Sequence, residues 1–193
     1  MDNQQKKLVE SEGSMKDELE KWKYLALHHE LTKLPNRRMF YMSIESYMKR
    51  AQQAGNSLGI ALIDIDEFKG INDLFGHSAG DRFLIETAKR LEALAEYGID
   101  AFHLSGDEFL LLIEQDDHLE EKMNQVKAVF DTSFLVKDSH ISIRASIGIS
   151  LYPEQGQDID KLLEYADLAL YQAKSSMHHQ CCFCYFTPHS PKE

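Results

Sequence analysis

Apolar residues change their period several times along this chain, and each change marks a new element. Leu8, Met15, Trp22 and His29 recur every seven residues, with Leu19 and Leu25 beside them, so residues 15–29 are expected to form an amphipathic helix. The polar stretch before it, with Ser11, Gly13 and Ser14, reads as a flexible lead over residues 1–14. Such a helix either pairs two chains or packs on its own domain, and the heptads are too few to choose. Pro35 marks a break, and residues 38–54 read as a helix closed by Gly55-Asn56. Residues 58–65 form a nearly unbroken apolar run, the mark of a buried strand. A short helix over 68–75 ends at Gly76-His77, and a longer one over 79–95 gathers Phe83, Leu84, Ala88, Leu91 and Leu94 on one face. Two strands, 99–104 and 109–113, flank Ser105-Gly106-Asp107-Glu108, a hairpin signal. Residues 118–130 are helical in pattern, whereas Ile141, Ile143, Ala145, Ile147 and Ile149 alternate with period two. A last helix over 159–174 precedes an apolar strand that carries Cys181, Cys182 and Cys184. Strands and helices interleave around a central hairpin, so the class is α+β, an α/β sandwich with one sheet covered by helices and an N-terminal helix in front.

At 193 residues the chain suits one domain plus an appendage. Its formal charge of -11 argues against a nucleic-acid partner, because phosphate backbones need a basic face. An acidic protein that handles a polyanionic nucleotide must rely on metal and a few placed cations. There is no run of apolar residues long enough to span a membrane, and Met1-Asp2-Asn3-Gln4-Gln5-Lys6-Lys7 has no apolar core of a signal peptide, so a cytoplasmic setting is expected. Three clustered cysteines make no disulfide framework. With His178 and His179 they could hold a soft metal, but a small apolar strand explains them better.

Chemistry concentrates in two places. The run Ile60-Ala61-Leu62-Ile63 ends in Asp64-Ile65-Asp66, and the hairpin tip carries Asp107-Glu108. A strand ending in Asp beside a tip bearing two carboxylates suits Mg²⁺, a hard cation that is often shared with substrate phosphates. On its own, Gly106-Asp107 would be an ordinary polar turn.

Five ordered blocks bear on that choice: Leu31-Thr32-x-Leu34-Pro35-Asn36-Arg37; Asp64-Ile65-Asp66-x-Phe68-Lys69-x-Ile71-Asn72-Asp73-x-Phe75-Gly76-His77-x-x-Gly80-Asp81; Ser105-Gly106-Asp107-Glu108-Phe109; Ala145-Ser146-Ile147-Gly148-Ile149; and Tyr165-Ala166-Asp167-x-Ala169-Leu170-Tyr171-x-Ala173-Lys174. Together they resemble the GGDEF family of diguanylate cyclases, over about residues 28–186. The resemblance implies a ferredoxin-like, nucleotidyl-cyclase-type fold. It also implies condensation of two GTP into cyclic di-GMP and pyrophosphate across a symmetric homodimer, with Mg²⁺ as cofactor and Mn²⁺ as an alternative ion.

By the same resemblance, Asp64, the Ile65 carbonyl and Asp107 hold metal, and Asp107 with Glu108 activates the 3′-hydroxyl. Which of the two takes the proton is open, and Asp66 would support the metal site from one residue further. Phe68 and Lys69 would offer helix-start amides to phosphate, Ser105 and Gly106 would let backbone approach the ligand, and Lys174 and His178 would face phosphates. Asn72 and Asp81 match the guanine readers. The domain would run over 31–187, after a lead and signalling helix at 1–30 and before a tail at 188–193 that resembles the junction to an EAL phosphodiesterase domain. The chain departs from the family at Ser105, for the first Gly; at His103, for the usual Arg; at His29, for an Asp that ties the incoming helix down; and at Met177-His178-His179, for Gly-Arg-Asn. Glu96 and Ile99 occupy the positions of the family's inhibitory Arg-x-x-Asp product site. Two functions therefore stand: a diguanylate cyclase, or a weak or inactive GTP-binding module regulating an attached domain such as an EAL phosphodiesterase; whether a sensor is attached stays open.

Overall fold

The computed structural model describes residues 3–114, 119–136, 139–142, 144–175 and 182–187. The first helix, α1 (Asn3–Leu27), corrects the expectation of a flexible lead over 1–14, since the chain is helical from Asn3 onward. Ser11, Gly13 and Ser14 are weak helix formers, costing roughly 0.5–1 kcal/mol each, and the Lys, Gln and Glu around them outweigh that. Farther along α1, Met15, Leu19, Trp22 and Leu25 are exposed. At the end of α1 the chain folds back: Asn36 donates from its backbone N–H to Leu27 O (2.8 Å) and from Nδ2 to Ala26 O (3.0 Å). Asn36 also caps α2 (Arg37–Ala54), its side-chain oxygen accepting from Met39 N–H, and Gly55 ends that helix at φ 67°.

The remaining elements are β1 (Leu58–Ile65), α3 (Phe68–Phe75), α4 (His77–Glu92), a 3₁₀ turn (Ala93–Tyr97), β2 (Ile99–Ser105), β3 (Glu108–Glu114), α5 (Leu119–Asp131), β4 (Phe134–Val136), β5 (Ser139–Ile141), β6 (Ala145–Tyr152), α6 (Ile159–Ser175) and β7 (Cys182–Tyr185). Five strands make one sheet in the order β2-β3-β1-β6-β7, while β4 and β5 pair separately. β1 runs antiparallel to β3 and β6, and β7 lies parallel to β6. This is the mixed sheet covered by helices, with a helix in front, that the pattern implied.

The alternating run from Ile141 to Ile149 is two strands rather than one. Ile141 closes β5 opposite Phe134, and β6 starts at Ala145. The reason lies in β1, whose pairing with β6 ends at Ile65↔Ala145 because the chain turns there into α3. β1 offers no strand backbone beyond that point, and Ile141 pairs with Phe134 instead. Alternation reports an extended chain, not its neighbour.

Two cores lie on opposite faces of the sheet. Ala61, Ile63 and Ile65 of β1 and Phe109, Leu111 and Ile113 of β3 pack toward Phe83, Ala88 and Leu91 of α4. Leu58, Ile60, Leu110 and Leu112 join Phe40 and Ile44 of α2 and Leu162 of α6 on the other side. Helices on both faces explain why β1 and β3 read as continuous apolar runs. Gly148 lets α6 lie directly on β6, since a Cβ there would overlap the Ala166 carbonyl and the Leu170 backbone. No helix among the described residues is long and apolar enough to cross a membrane.

Candidate active site

The period of two along β1 and β3 places the carboxylates. Asp64 shares a face with Leu58, Ile60 and Leu62, and it stands directly opposite Glu108 in register. That is the α6 side, and Lys174 from α6 reaches across to place its Nζ 2.9 Å from Asp64 Oδ2. The Asp64 side chain is 19% exposed against 43% for Lys174, so the pair lies at a rim rather than in the core. Asp107 occupies the turn between β2 and β3, and its carbonyl accepts from Ile65 N–H at 3.3 Å, binding the tip to the end of β1. Burial chiefly raises the Asp107 carboxyl above the usual carboxylate range, with the charges of Asp64 and Glu108 adding to it and Lys174 opposing. Ser105 Oγ donates to Glu108 Oε2 at 2.9 Å, so the residue that stands for a glycine steers the neighbouring carboxylate. Gly106 takes φ 54°, and β2 and β3 shift register between His103 and Ser105.

Crowded carboxylates partly neutralised by one lysine form a donor set that fits a hard divalent cation. Among the described residues no three His, Cys, Asp or Glu side chains converge as a metal cluster. A metal at this place would therefore take Asp64, Asp107, the Ile65 carbonyl and oxygens from outside the protein, as Mg²⁺ commonly does with phosphates and water.

On the other side of the turn lies a cavity of about 530 Å³, lined by His29, Glu30, Leu31, Phe68, Asn72, His77, Asp81, Leu84 and Gly106. It brings together four residues expected at the site: Phe68, Asn72, Asp81 and Gly106. The motif spacing explains why. Asn72 lies on α3 and Asp81 on α4, joined by Gly76 at φ 85°, which turns the second helix back along the first. Gly80 is the cradle for Asn72: a Cβ there would overlap Asn72 Oδ1 and lie 3.2 Å from Phe68 Cζ. Phe68 opens α3, whose first turn has no side-chain cap because Glu67 is in the left-handed region (φ 57°). Lys69 is exposed beside it. Leu31 and Leu84 supply the apolar walls. Neither was anticipated as a site residue, and the placement of Leu31 just before Thr32 in the first motif block was the available signal.

Asp66 and Lys174 have protein partners of their own. Asp66 accepts from Ser146 Oγ at 2.9 Å and donates from its backbone N–H to Arg144 O, fastening the end of β1 to β6 through the residue that stands opposite Asp64 in register. Lys174 is held on the Asp64 carboxylate. His178 and Cys181 lie outside the described residues. His103 is fully buried, and burial lowers its pKa to about 4, so it provides no positive charge.

A cavity thus lies on one side of the hairpin tip and a carboxylate–lysine group on the other. The chain belongs to the family described as diguanylate cyclase, GGDEF domain, whose model matches residues 26–180. It is 38% identical over 161 residues to the bifunctional diguanylate cyclase/cyclic di-GMP phosphodiesterase MucR of Pseudomonas aeruginosa, an overlap covering 82% of this chain and 24% of that protein. It is 34% identical over 182 residues to the diguanylate cyclase TpbB of the same species, covering 86% of this chain and 42% of that one. The chain thus spans less than half of these relatives. The solved GGDEF domain of TpbB from P. aeruginosa superposes with a TM-score of 0.75 at 31% identity, covering 83% of this chain and 94% of that one.

Proposed function

We propose that this chain is the catalytic domain of a diguanylate cyclase, joining two GTP into cyclic di-GMP with release of two pyrophosphates. The observation that carries this reading is the position of the signature turn. Gly106 lines the Asn72/Asp81 cavity, while Asp107 and Glu108 stand over Asp64 and Lys174 on the opposite side. One GTP lies with its base against Asn72 and Asp81 and its triphosphate passing the Ser105-Gly106 backbone toward the carboxylates. Asp accepts from the guanine N1 and N2 hydrogens, and the Asn amide complements the remaining edge. The uncapped amides of Phe68 and Lys69 take phosphate oxygens.

Asp64, Asp107 and the Ile65 carbonyl would hold Mg²⁺, with Mn²⁺ as a substitute. When bound, the ion offsets triphosphate charge and lowers the pKa of the attacking hydroxyl. Lys174 then leaves Asp64 for the β- or γ-phosphate. In each of two steps a 3′-oxygen forms a bond to the other nucleotide's α-phosphorus, the α–β bridging bond breaks, and pyrophosphate leaves. The hydroxyl proton goes to Glu108, the carboxylate that Asp107's metal role leaves available. One domain holds one GTP, so two copies face each other, and the exposed Met15, Leu19, Trp22 and Leu25 of α1 give a second copy an apolar stripe to pair with. We place this work in the cytoplasm, where GTP is available.

A second reading has an observation of its own. His103 is neutral, and the first relative named above is bifunctional, so a GTP-binding module governing an attached phosphodiesterase domain fits as well. Incubation with GTP and Mg²⁺, with products resolved by chromatography at several protein concentrations, separates them. Cyclic di-GMP forming faster than linearly in protein supports the cyclase, and GTP binding without product supports the regulatory module.

A further inference from the structure

His103 sits at the junction of three segments, and every part of its ring is engaged. One face stacks on Phe109 of β3 at 4.4 Å between centroids, and His29 stacks on the ring at 3.7 Å. On its edges, Nε2 lies 3.0 Å from the Gly106 carbonyl and Nδ1 lies 2.8 Å from Thr32 Oγ1. A carbonyl only accepts, so Nε2 carries the hydrogen; in the neutral ring Nδ1 then accepts from the Thr32 hydroxyl. Its backbone N–H donates to Pro35 O at 2.9 Å. The segment it touches is itself pinned to the end of α1, with His29 N–H donating to Leu34 O (2.8 Å) and Asn36 N–H to Leu27 O (2.8 Å).

We infer that His103 is a positioning residue: through the Gly106 carbonyl it sets the turn that carries Asp107 and Glu108, and through His29 and Thr32 it joins that turn to the chain leaving α1. For its effect on turnover this rests on the cyclase reading; for its structural content it does not. The joint works with a neutral ring. Thr32, Gly106 and Phe109 present no titratable side chain to His103, and His29 is the ionisable group that faces it, with Glu30 and Lys33 beside His29. Burial lowers the pKa of both rings, that of His103 to about 4. Because each folded value lies below the ordinary one of 6.5, the stability they contribute is complete above 6.5 and is lost as pH falls toward those folded values.

The test compares His103→Gln, which keeps a donor for Gly106, with His103→Leu, which keeps volume and burial but neither hydrogen bond. His103→Leu is expected to lower kcat by roughly tenfold to a hundredfold with KM for GTP within about threefold, and His103→Gln to recover most of that loss. Amide exchange at Ile65, which donates to Asp107 O, should quicken in His103→Leu and stay slow in His103→Gln. Nitrogen-edited spectra of the wild-type chain should show the Nε2–H tautomer, titrating near pH 4. If His103→Leu does not fold, His29→Ala takes its place, with faster Ile65 exchange at an unchanged melting temperature expected. Wild-type exchange at Ile65 in both variants, or a His103 ring that titrates near its ordinary value, overturns the inference. A wild-type chain that yields no cyclic di-GMP overturns the cyclase reading alone, and the exchange and tautomer measurements still decide this one.

Discussion

The two faces of the sheet share the same strands yet carry different chemistry. Toward α4 the signature turn borders a cavity whose polar groups, Asn72 and Asp81, are set in place by helix geometry and by the missing side chain of Gly80. Toward α6 the same strands present Asp64 and Glu108, opposite in register, with Lys174 drawn onto Asp64. One side offers a shaped cavity with polar side chains; the other gathers charge. Because alternate residues of a strand point to opposite faces, neighbours such as Ile63 and Asp64, or Glu108 and Phe109, serve different sides, and the two tasks are separable by mutation.

The largest effect belongs to the charged face. Asp107→Asn should reduce Mg²⁺-dependent product formation by roughly a hundredfold to a thousandfold or more while GTP still binds. Without metal the same variant should melt at or above the wild-type temperature near neutral pH. The Asp107 carboxyl is raised, so its cost is present above its folded pKa and is relieved as pH falls; the gap between the two proteins should narrow in acid. Full activity of Asp107→Asn would remove the metal role from this face.

Gly80→Ala tests the opposite face. A methyl group there displaces Asn72, so KM for GTP should rise about tenfold to a hundredfold with a much smaller change in kcat. An unchanged KM would mean that Asn72 does not read the base. Lys174→Ala should lower turnover by roughly tenfold, yet shift the stability of the metal-free protein by no more than about 1 kcal/mol, because its ion pair lies at an exposed rim. A stability loss well beyond that would make the lysine a structural residue. The smallest effect concerns neither face. Glu96, exposed on the 3₁₀ turn beside Tyr97, presents a negative charge where the resemblance places an arginine, so calorimetry should detect no cyclic di-GMP binding there.

Much of this was legible beforehand, for reasons that differ between elements. β1 over Leu58–Ile65 and α3 over Phe68–Phe75 were readable to the residue because a buried apolar run and a Gly-ended amphipathic stretch are local signals. β4 was not, because Phe134-Leu135-Val136 is too short to carry a period. Asn72 and Asp81 were expected at the site through the resemblance alone, and they line one cavity, whereas Leu31 and Leu84 were hidden among ordinary core positions. The Ser146–Asp66 bond was not legible, since nothing in Asp64-Ile65-Asp66 says that Ser146, distant in the chain, faces the second carboxylate.

By itself, the sequence determined the class of fold, most of the helices and central strands and the parity that sends Asp64 and Glu108 to one face, because periodicity and turn residues act over a few neighbours. Only the tertiary structure decided that Lys174 rests on Asp64, that Asn72 folds over Gly80, and that His103 is a neutral ring clasped by His29, Thr32 and Gly106. Those outcomes depend on desolvation and through-space contact between segments far apart in the chain, quantities that no local pattern of residues encodes.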